Sequence, residues 1–450
     1  MPPPRGARAA HAAHAAHAAL AALAALGALG AARAQTWTHV SLADPRALCL
    51  DGSAGAFEIK AGEGANASKW VLFQQAGGWA MSEADLLYRS TTSLGSTRGD
   101  PAASEEWAIE DLLTNDTARN PLFHDWTSVA LRYCDGASRA SDLAAPLVVN
   151  GSALYLRGFP ILRATLDALL SPGSPGGGAP SLGDATEVVV GGGSAGGLGA
   201  TLHVDYVAGR VRAAAAGKRD VRVSGISTDG FFIDGASIWG GEHVMTGVFR
   251  RVVALGNVSG SAQDVNAACA TAFAPDLQWR CFLAEYALPF VKTPMFFFNS
   301  FMDQYQSMTM LSPDLSSLDA PGGVVQYAPF VPCTHAPESG CNATQYEQWS
   351  TMREQFLSRF AAALAASPIA AEHGAFLPSC PTHGTCVFNR CNTVRLPGGA
   401  AGGLTGMQAL QRWYAGDAAR EGNVTIDAAW PAPGAWPNIV APNKDCPAPW

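Results

Sequence analysis

Glu187-Val-Val-Val-Gly-Gly-Gly-Ser194-Ala-Gly-Gly-Leu198 is the stretch on which the reading of this chain turns. A short apolar run that ends in glycines reads as a buried strand running into a tight turn. Beyond it, Gly197 to Ala215 is rich in Ala, Leu and Val and reads as a helix. Gly192, Ser194 and Gly196 satisfy G-x-S-x-G within a strand–turn–helix frame, the setting of a nucleophile elbow. Such a turn crowds its neighbours, and glycines two residues before and after the serine relieve the crowding. The helix that follows aims free N–H groups at charge developing on a substrate. Gly191, Gly193 and Gly196 also satisfy G-x-G-x-x-G, the form of a dinucleotide-binding turn. That reading needs a ribose-binding acid about 20 residues on. Asp229 is the candidate and comes later than that, and the motif has no use for a serine at its tip. A plain glycine-rich turn is the third reading.

Working outward, Lys69 to Gln75 and Thr127 to Tyr133 read as strands before the elbow. After it come strands at Val221 to Ile226 and Pro294 to Asn299. Helical spacing appears over Tyr155 to Leu170, Tyr346 to Ala366 and Gln408 to Ala415. Ser171 to Pro180 and Leu396 to Leu404 are Gly/Pro loops. Strands alternating with helices predict an α/β fold built on a mainly parallel sheet. Neither loop reads as a linker, so one domain is expected over residues 35–450.

A serine becomes a nucleophile at neutral pH only with a base and an orienting acid. In the chain order Ser, acid, His, both partners lie downstream on loops that follow strands. Asp303 stands just past the predicted strand at Pro294 to Asn299; Asp229 and Asp234 compete with it. Spacing does not choose among His335, His373 and His383. His383 lies between Cys380 and Cys386, where bridged cysteines would hold a loop rigid. Cys380, His383, Cys386 and Cys391 also admit a zinc reading, against which their irregular spacing speaks. Oxyanion donors are expected from the backbone of Ala195, directly after the serine, and from Gly77-Gly78-Trp79, directly after an earlier strand.

The 450-residue chain is 48% hydrophobic and 15% charged, which argues for a large core and against bulk disorder. Its net charge of −8 and lack of a basic run give no footprint for nucleic acid. No transmembrane segment is expected. Residues 1–34 read as a secretory signal peptide: Arg5 and Arg8, an Ala/Leu run, then Ala32-Arg33-Ala34 as the cleavage site. An Arg-rich organelle transit peptide is the competing reading. Ten cysteines, all beyond that site, suit an oxidising compartment. So do N-x-S/T sequons at Asn66, Asn115, Asn150, Asn257, Asn342 and Asn423, each a candidate glycan site. A secreted, extracellular protein is therefore expected.

Taken in order, several segments resemble the pectin acetylesterase / Notum family of secreted carboxylesterases. They are Cys49-Leu-Asp-Gly-Ser53, Gly77-Gly-Trp79, Arg132-Tyr-Cys-Asp-Gly-Ala-Ser138 and Gly193-Ser-Ala-Gly-Gly-Leu198. Asp229-Gly-Phe-Phe-Ile-Asp234, Thr293 to Gln306 and Phe376-Leu-Pro-Ser-Cys-Pro-Thr-His383 follow. The resemblance implies an α/β-hydrolase-like fold, a Ser194–Asp303–His383 triad, and oxyanion donors at Gly78, Trp79 and Ala195. It implies no metal or organic cofactor. It implies either removal of acetyl groups from cell-wall polysaccharide or removal of a fatty acyl group from a secreted protein. A catalytically inactive glycan-binding homologue is the reading from another class. The family's usual cysteine after Gly-Gly-Trp is here Ala80, which leaves the partner of Cys134 open; the tail with its late Cys446 and the glycine-rich insert at Ser171 to Gly183 also depart from the pattern.

Overall fold

Runs such as Trp70-Val-Leu-Phe73 and Met295-Phe-Phe-Phe298 are apolar at every position, so they form strands only where both sheet faces are covered. The computed structural model bears this out. It describes residues 37–104, 107, 110–173, 176, 178–237, 241, 243–258, 265–310, 341–396, 403–416, 424–427 and 445–446. Ten strands form one sheet: β1 Trp37–Ser41, β2 Ala56–Lys60, β3 Lys69–Gln74, β4 Ala103–Ser104, β5 Thr127–Leu131, β6 Glu187–Gly193, β7 Arg222–Thr228, β8 Met295–Phe298, β9 Gly374–Leu377 and β10 Val424–Ile426. Their spatial order is β10-β9-β8-β7-β6-β3-β5-β2-β1-β4. The seven strands from β10 to β5 pair in parallel, and β2, β1 and β4 add an antiparallel flank.

Alternate residues of each strand face opposite layers. Trp70, Leu72, Val188, Val190, Met295 and Phe297 enter one core. Helices α2 (Gly158–Leu170), α3 (Ala195–Ala215), α4 (Val244–Gly256) and α6 (Ala343–Ala366) contribute to that same core. Val71, Phe73, Val189, Phe296 and Phe298 enter the other, which α7 (Gly406–Ala415) closes with Leu410 and Trp413. Each such side chain contributes about 1.5–3 kcal/mol by leaving water. Two shorter helices, α1 (Glu83–Arg89) and α5 (Gln304–Met310), sit on loops beyond the sheet. Among the described residues no helix is long and apolar enough to cross a membrane.

The order of strands places the site. From β3 the chain moves outward through α1 to the edge strand β4, comes back to β5 beside β3, and then passes through α2 to β6 on the other side of β3. Loops leaving the carboxyl ends of β3 and β6 therefore part in opposite directions and open a crevice. The register Gln74↔Gly192, Gly193↔Thr228 and Phe298↔Phe376 brings the ends of β3, β6, β7, β8 and β9 to one edge.

Most predicted elements appear with their ends shifted by a few residues. The flank β1, β2 and β4 is absent from the sequence reading, as are β9, α1, α4 and α5. The predicted leader at residues 1–34 lies outside the described residues.

Candidate active site

Ser194 stands between β6 and α3 with φ 53° and ψ −119°, a conformation that L-residues rarely adopt. The glycines make it feasible. A Cβ at Gly192 would lie 2.2 Å from the carbonyl oxygen of Gly196. A Cβ at Gly196 would lie 2.0 Å from the carbonyl oxygen of Gln74. The turn is held to the next strand by the Ser194 N–H, which donates to the Thr228 carbonyl at 2.7 Å.

Two loops meet the serine. Nε2 of His383 lies 2.7 Å from Ser194 Oγ, and Nδ1 lies 2.7 Å from Asp303 Oδ2. Asp303 is fully buried, and its Oδ1 accepts from the Gln306 N–H at 2.8 Å, capping α5. Both histidine nitrogens are thus engaged, one by a carboxylate and one by a hydroxyl. Burial opposes the charged imidazole, but the charge and hydrogen bond of Asp303, with Asp229 beyond, hold it above the usual histidine range.

The His383 loop is fastened on several sides. Disulfides Cys380–Cys446 and Cys386–Cys391 bracket it. Arg390 Nη1 donates to Thr382 Oγ1 at 2.7 Å and to the Gly384 carbonyl at 3.2 Å. Oδ2 of Asp229 accepts from the Thr385 N–H at 2.7 Å and from its hydroxyl at 3.1 Å.

The segment after β3 is braced just as closely. Gly78 has φ +64°, where a side chain is strained. The carbonyl of Gly77 accepts from Arg89 Nη1 at 2.7 Å, and that of Gly78 accepts from the Tyr133 hydroxyl. Asp85, fully buried on α1, takes the Arg89 Nε–H at 3.2 Å. Ser138 Oγ accepts from the Trp79 indole at 2.8 Å and donates to the Ala195 carbonyl at 2.7 Å. One buried hydroxyl thereby ties the segment after β3 to the elbow after β6. Among the described residues, the N–H groups of Gly78, Trp79 and Ala195 have no protein acceptor.

The family model described as pectinacetylesterase matches residues 31–435. The chain belongs to the pectinacetylesterase family. Pectin acetylesterase 11 of Arabidopsis thaliana is 31% identical over 353 residues, covering 78% of this chain and 80% of that protein. The palmitoleoyl-protein carboxylesterase NOTUM of Schmidtea mediterranea is 26% identical over 271 residues, 57% of this chain and 46% of that protein. Among solved structures, the Wnt deacylase Notum from Drosophila superposes with a TM-score of 0.65 at 19% identity, covering 92% of this chain and 99% of that one. At that identity the likeness establishes the fold, an α/β-hydrolase of the Notum type.

Within this pectinacetylesterase chain, the competing candidates are placed elsewhere. His373 is buried, accepts from the Met295 N–H at 3.1 Å through Nδ1, and meets Ser367 Oγ at 3.0 Å. His335 lies outside the described residues. Asp234 is engaged by His243 at 2.6 Å, by Tyr286 at 2.9 Å and by Thr246. Asp229, the ribose-binding candidate of the nucleotide reading, faces His383 and Thr385. Cys380, Cys386 and Cys391 are disulfide-bonded, so the zinc reading loses its thiolates. Cys134, whose partner the sequence left open, pairs with Cys49, and Cys269 pairs with Cys281. Ala80, in the place of the family's cysteine, is buried in a small apolar cluster with Leu50 and Leu86.

Sequence reasoning missed the bracing by Arg89, Tyr133 and Ser138. The segment Arg132 to Ser138 stood out only as a family likeness, and nothing in its spacing points to a hydroxyl bridging two loops.

Proposed function

We propose that this chain is a secreted acetylesterase in which Ser194 is the nucleophile, His383 the base and Asp303 the orienting acid. The observation that carries the reading is the continuous relay Ser194–His383–Asp303, with 2.7 Å at both links. As Ser194 Oγ bonds to the ester carbonyl carbon, its proton passes to His383 Nε2. Asp303 keeps the imidazole oriented and stabilises its charge without taking the proton. The oxyanion sits at the N–H groups of Gly78, Trp79 and Ala195. Collapse breaks the carbon–oxygen bond, and the alcohol leaves with the proton from Nε2. Water then gives a proton to His383 and attacks the acyl carbon; collapse breaks the bond to Ser194 Oγ, which takes the proton back from Nε2 as the acid is released.

Aromatic rings pack beside the proposed base, and the choice of a short acyl group rests on the named relatives. Trp79 meets Phe232 and Phe249 edge-on, both with centroids 4.8 Å apart. Tyr305 and Phe232 lie 5.6 and 6.3 Å from the His383 ring. Tyr305 and Phe232 thus give the imidazole an aromatic flank. With the Arabidopsis relatives named as pectin acetylesterases, acetylated cell-wall polysaccharide is the proposed substrate. Secretion is supported by the leader-like residues 1–34 and four disulfides among the described residues. Asn150, Asn257 and Asn342 are exposed sequons, the proposed glycan sites; Asn66 and Asn115 are half-buried, and Asn423 lies outside the described residues.

The test is hydrolysis of aryl esters of rising acyl length, then acetate release from acetylated pectin, with Ser194→Ala beside the parent. Activity confined to short acyl groups and lost in the variant supports the reading. A preference for long acyl groups moves it to a deacylase of lipidated protein. A folded parent inert on every ester leaves the glycan-binding homologue.

A further inference from the structure

Asp229 is a buried carboxylate that the acyl-transfer scheme leaves unused. It follows β7 at φ 51°, its N–H donates to the Phe298 carbonyl at 2.7 Å, and it is 3% exposed. Oδ2 is taken up by Thr385, two residues beyond His383. Oδ1 is buried and makes no hydrogen bond of ordinary geometry, with the Gly384 N–H the further backbone donor near the carboxylate. One carboxylate oxygen of Asp229, one of Asp303 and a ring nitrogen of His383 all lie within 4.8 Å of one another. The charged groups facing Asp229 are His383, Asp303 and, from the turn at 390–393, Arg390.

A carboxylate that served only to anchor Thr385 would not need to be buried with an oxygen within 4.8 Å of an imidazole nitrogen and of a second carboxylate. Leaving a buried acceptor unsatisfied is costly. The arrangement becomes favourable when the ring it faces carries positive charge, which is the state of His383 after it has taken the serine proton. We infer that Asp229 is a second-carboxylate positioning residue, which anchors the His383 loop through Thr385 and stabilises the His383 imidazolium alongside Asp303. Burial pushes the Asp229 carboxyl above the usual carboxylate pKa range, the positive imidazole opposes that rise, and Asp303 adds to it. This inference rests on the proposed role of His383.

The sign of the expected effect follows. The free enzyme needs neutral His383, so kcat/KM rises with pH through the imidazole's titration. Removing the negative charge of Asp229 makes the imidazole easier to deprotonate and moves that limb to lower pH. It also removes stabilisation from the transition state, so the plateau falls. A displacement of about one pH unit and a loss of about tenfold in plateau kcat are expected for Asp229→Asn, with KM little changed. Thr385→Val, which removes one hydrogen bond and no charge, should leave the limb in place.

The experiment is the pH profile of kcat and kcat/KM on an aryl acetate for the parent, Asp229→Asn, Thr385→Val and Ser194→Ala. A limb shifted down only in Asp229→Asn supports the inference. An Asp229→Asn enzyme that is slower or less stable but keeps the parent limb overturns it, since the residue is then merely structural. If Asp229→Asn does not fold, the His383 ring is followed by NMR in Ser194→Ala. A second inflection from a neighbouring carboxyl, distinct from the ring's own, supports the inference, and a single-step titration overturns it. Ser194→Ala as active as the parent would instead sink the triad itself, so the two failures are told apart.

Discussion

Replacing Gly196 by alanine sets two effects of opposite sign against each other. Gly196 lies in the first turn of α3, where alanine is favoured over glycine by about 1 kcal/mol. On propensity alone the variant would be more stable. The tertiary structure reverses this. The new Cβ would lie 2.0 Å from the Gln74 carbonyl oxygen and 2.6 Å from that of Gln75, whereas real Cβ contacts stay above 3.0 Å. Relief needs a shift of about 1 Å, and the opposing atoms are backbone of β3, paired in register with β6 through Gln74↔Gly192. Neither can rotate aside. Overpacking of this kind costs about 1–3 kcal/mol, and more where backbone meets backbone. Because Ser194 is two residues away, the same shift displaces its Oγ from His383, and misplacement near 1 Å costs about 10²-fold in rate. The assay is thermal unfolding together with kcat on an aryl acetate, for Gly196→Ala beside Gly193→Ala. At Gly193 the nearest atom to a Cβ is Thr228 Oγ1 at 3.4 Å, an ordinary contact, so that variant should keep parental stability. A Gly196→Ala enzyme with unchanged or raised Tm and kcat within about twofold of the parent would refute the steric reasoning.

Ser138→Ala leaves the Trp79 indole N–H and the Ala195 carbonyl without their buried partner. It should cost about 1–3 kcal/mol of stability and lower kcat with little effect on KM. The rate loss should stay below the about 10²–10³ of losing an oxyanion donor outright, and steady-state kinetics decide. Removing Cys49 and Cys134 together opens a loop of 85 residues, for which chain entropy predicts a loss of about 4–5 kcal/mol, read as a lower urea midpoint. Burial holds His203 and His373 neutral down to about pH 4; the Ser138 carbonyl opposes it at His203, whereas the Met295 N–H given to His373 Nδ1 suits the neutral ring. Their folded values lie below the ordinary 6.5, so the unfolded chain binds more protons between 6.5 and 4. Stability is full above pH 6.5 and should fall by on the order of 3 kcal/mol for each histidine as pH drops to 4. Urea titrations at pH 7 and pH 4.5 measure the slope, and His373→Gln should flatten it.

Much of the scaffold was legible because its signals are local. The apolar runs of β3, β6 and β8 need no partner to be recognised, since a strand buried on both faces shows no alternation. The flank β1, β2 and β4 is too short and mixed to announce itself, and Gly374–Leu377 is four residues that only pairing with β8 makes a strand. Ser194 could be read from its glycines because their spacing is local, although the crowding is only partly so: a Cβ at Gly192 meets Gly196, whereas one at Gly196 meets Gln74 and Gln75. The family likeness, not spacing, singled out His383 over His373.

Sequence by itself determined the α/β class and the strand–turn–helix elbow with its serine, because each depends on residues near one another along the chain, and it offered Asp303 beside Asp229 and Asp234. Tertiary structure alone decided that His383 reaches Ser194 across 189 positions, that a carboxylate oxygen of Asp229 lies within 4.8 Å of a nitrogen of that imidazole, and that Ser138 joins the segments after β3 and β6. Those contacts depend on which strand ends share an edge, and that is settled by the return of the chain past β3 to β6. A crossing of that kind is an outcome of packing the whole sheet, and no local pattern of residues encodes it.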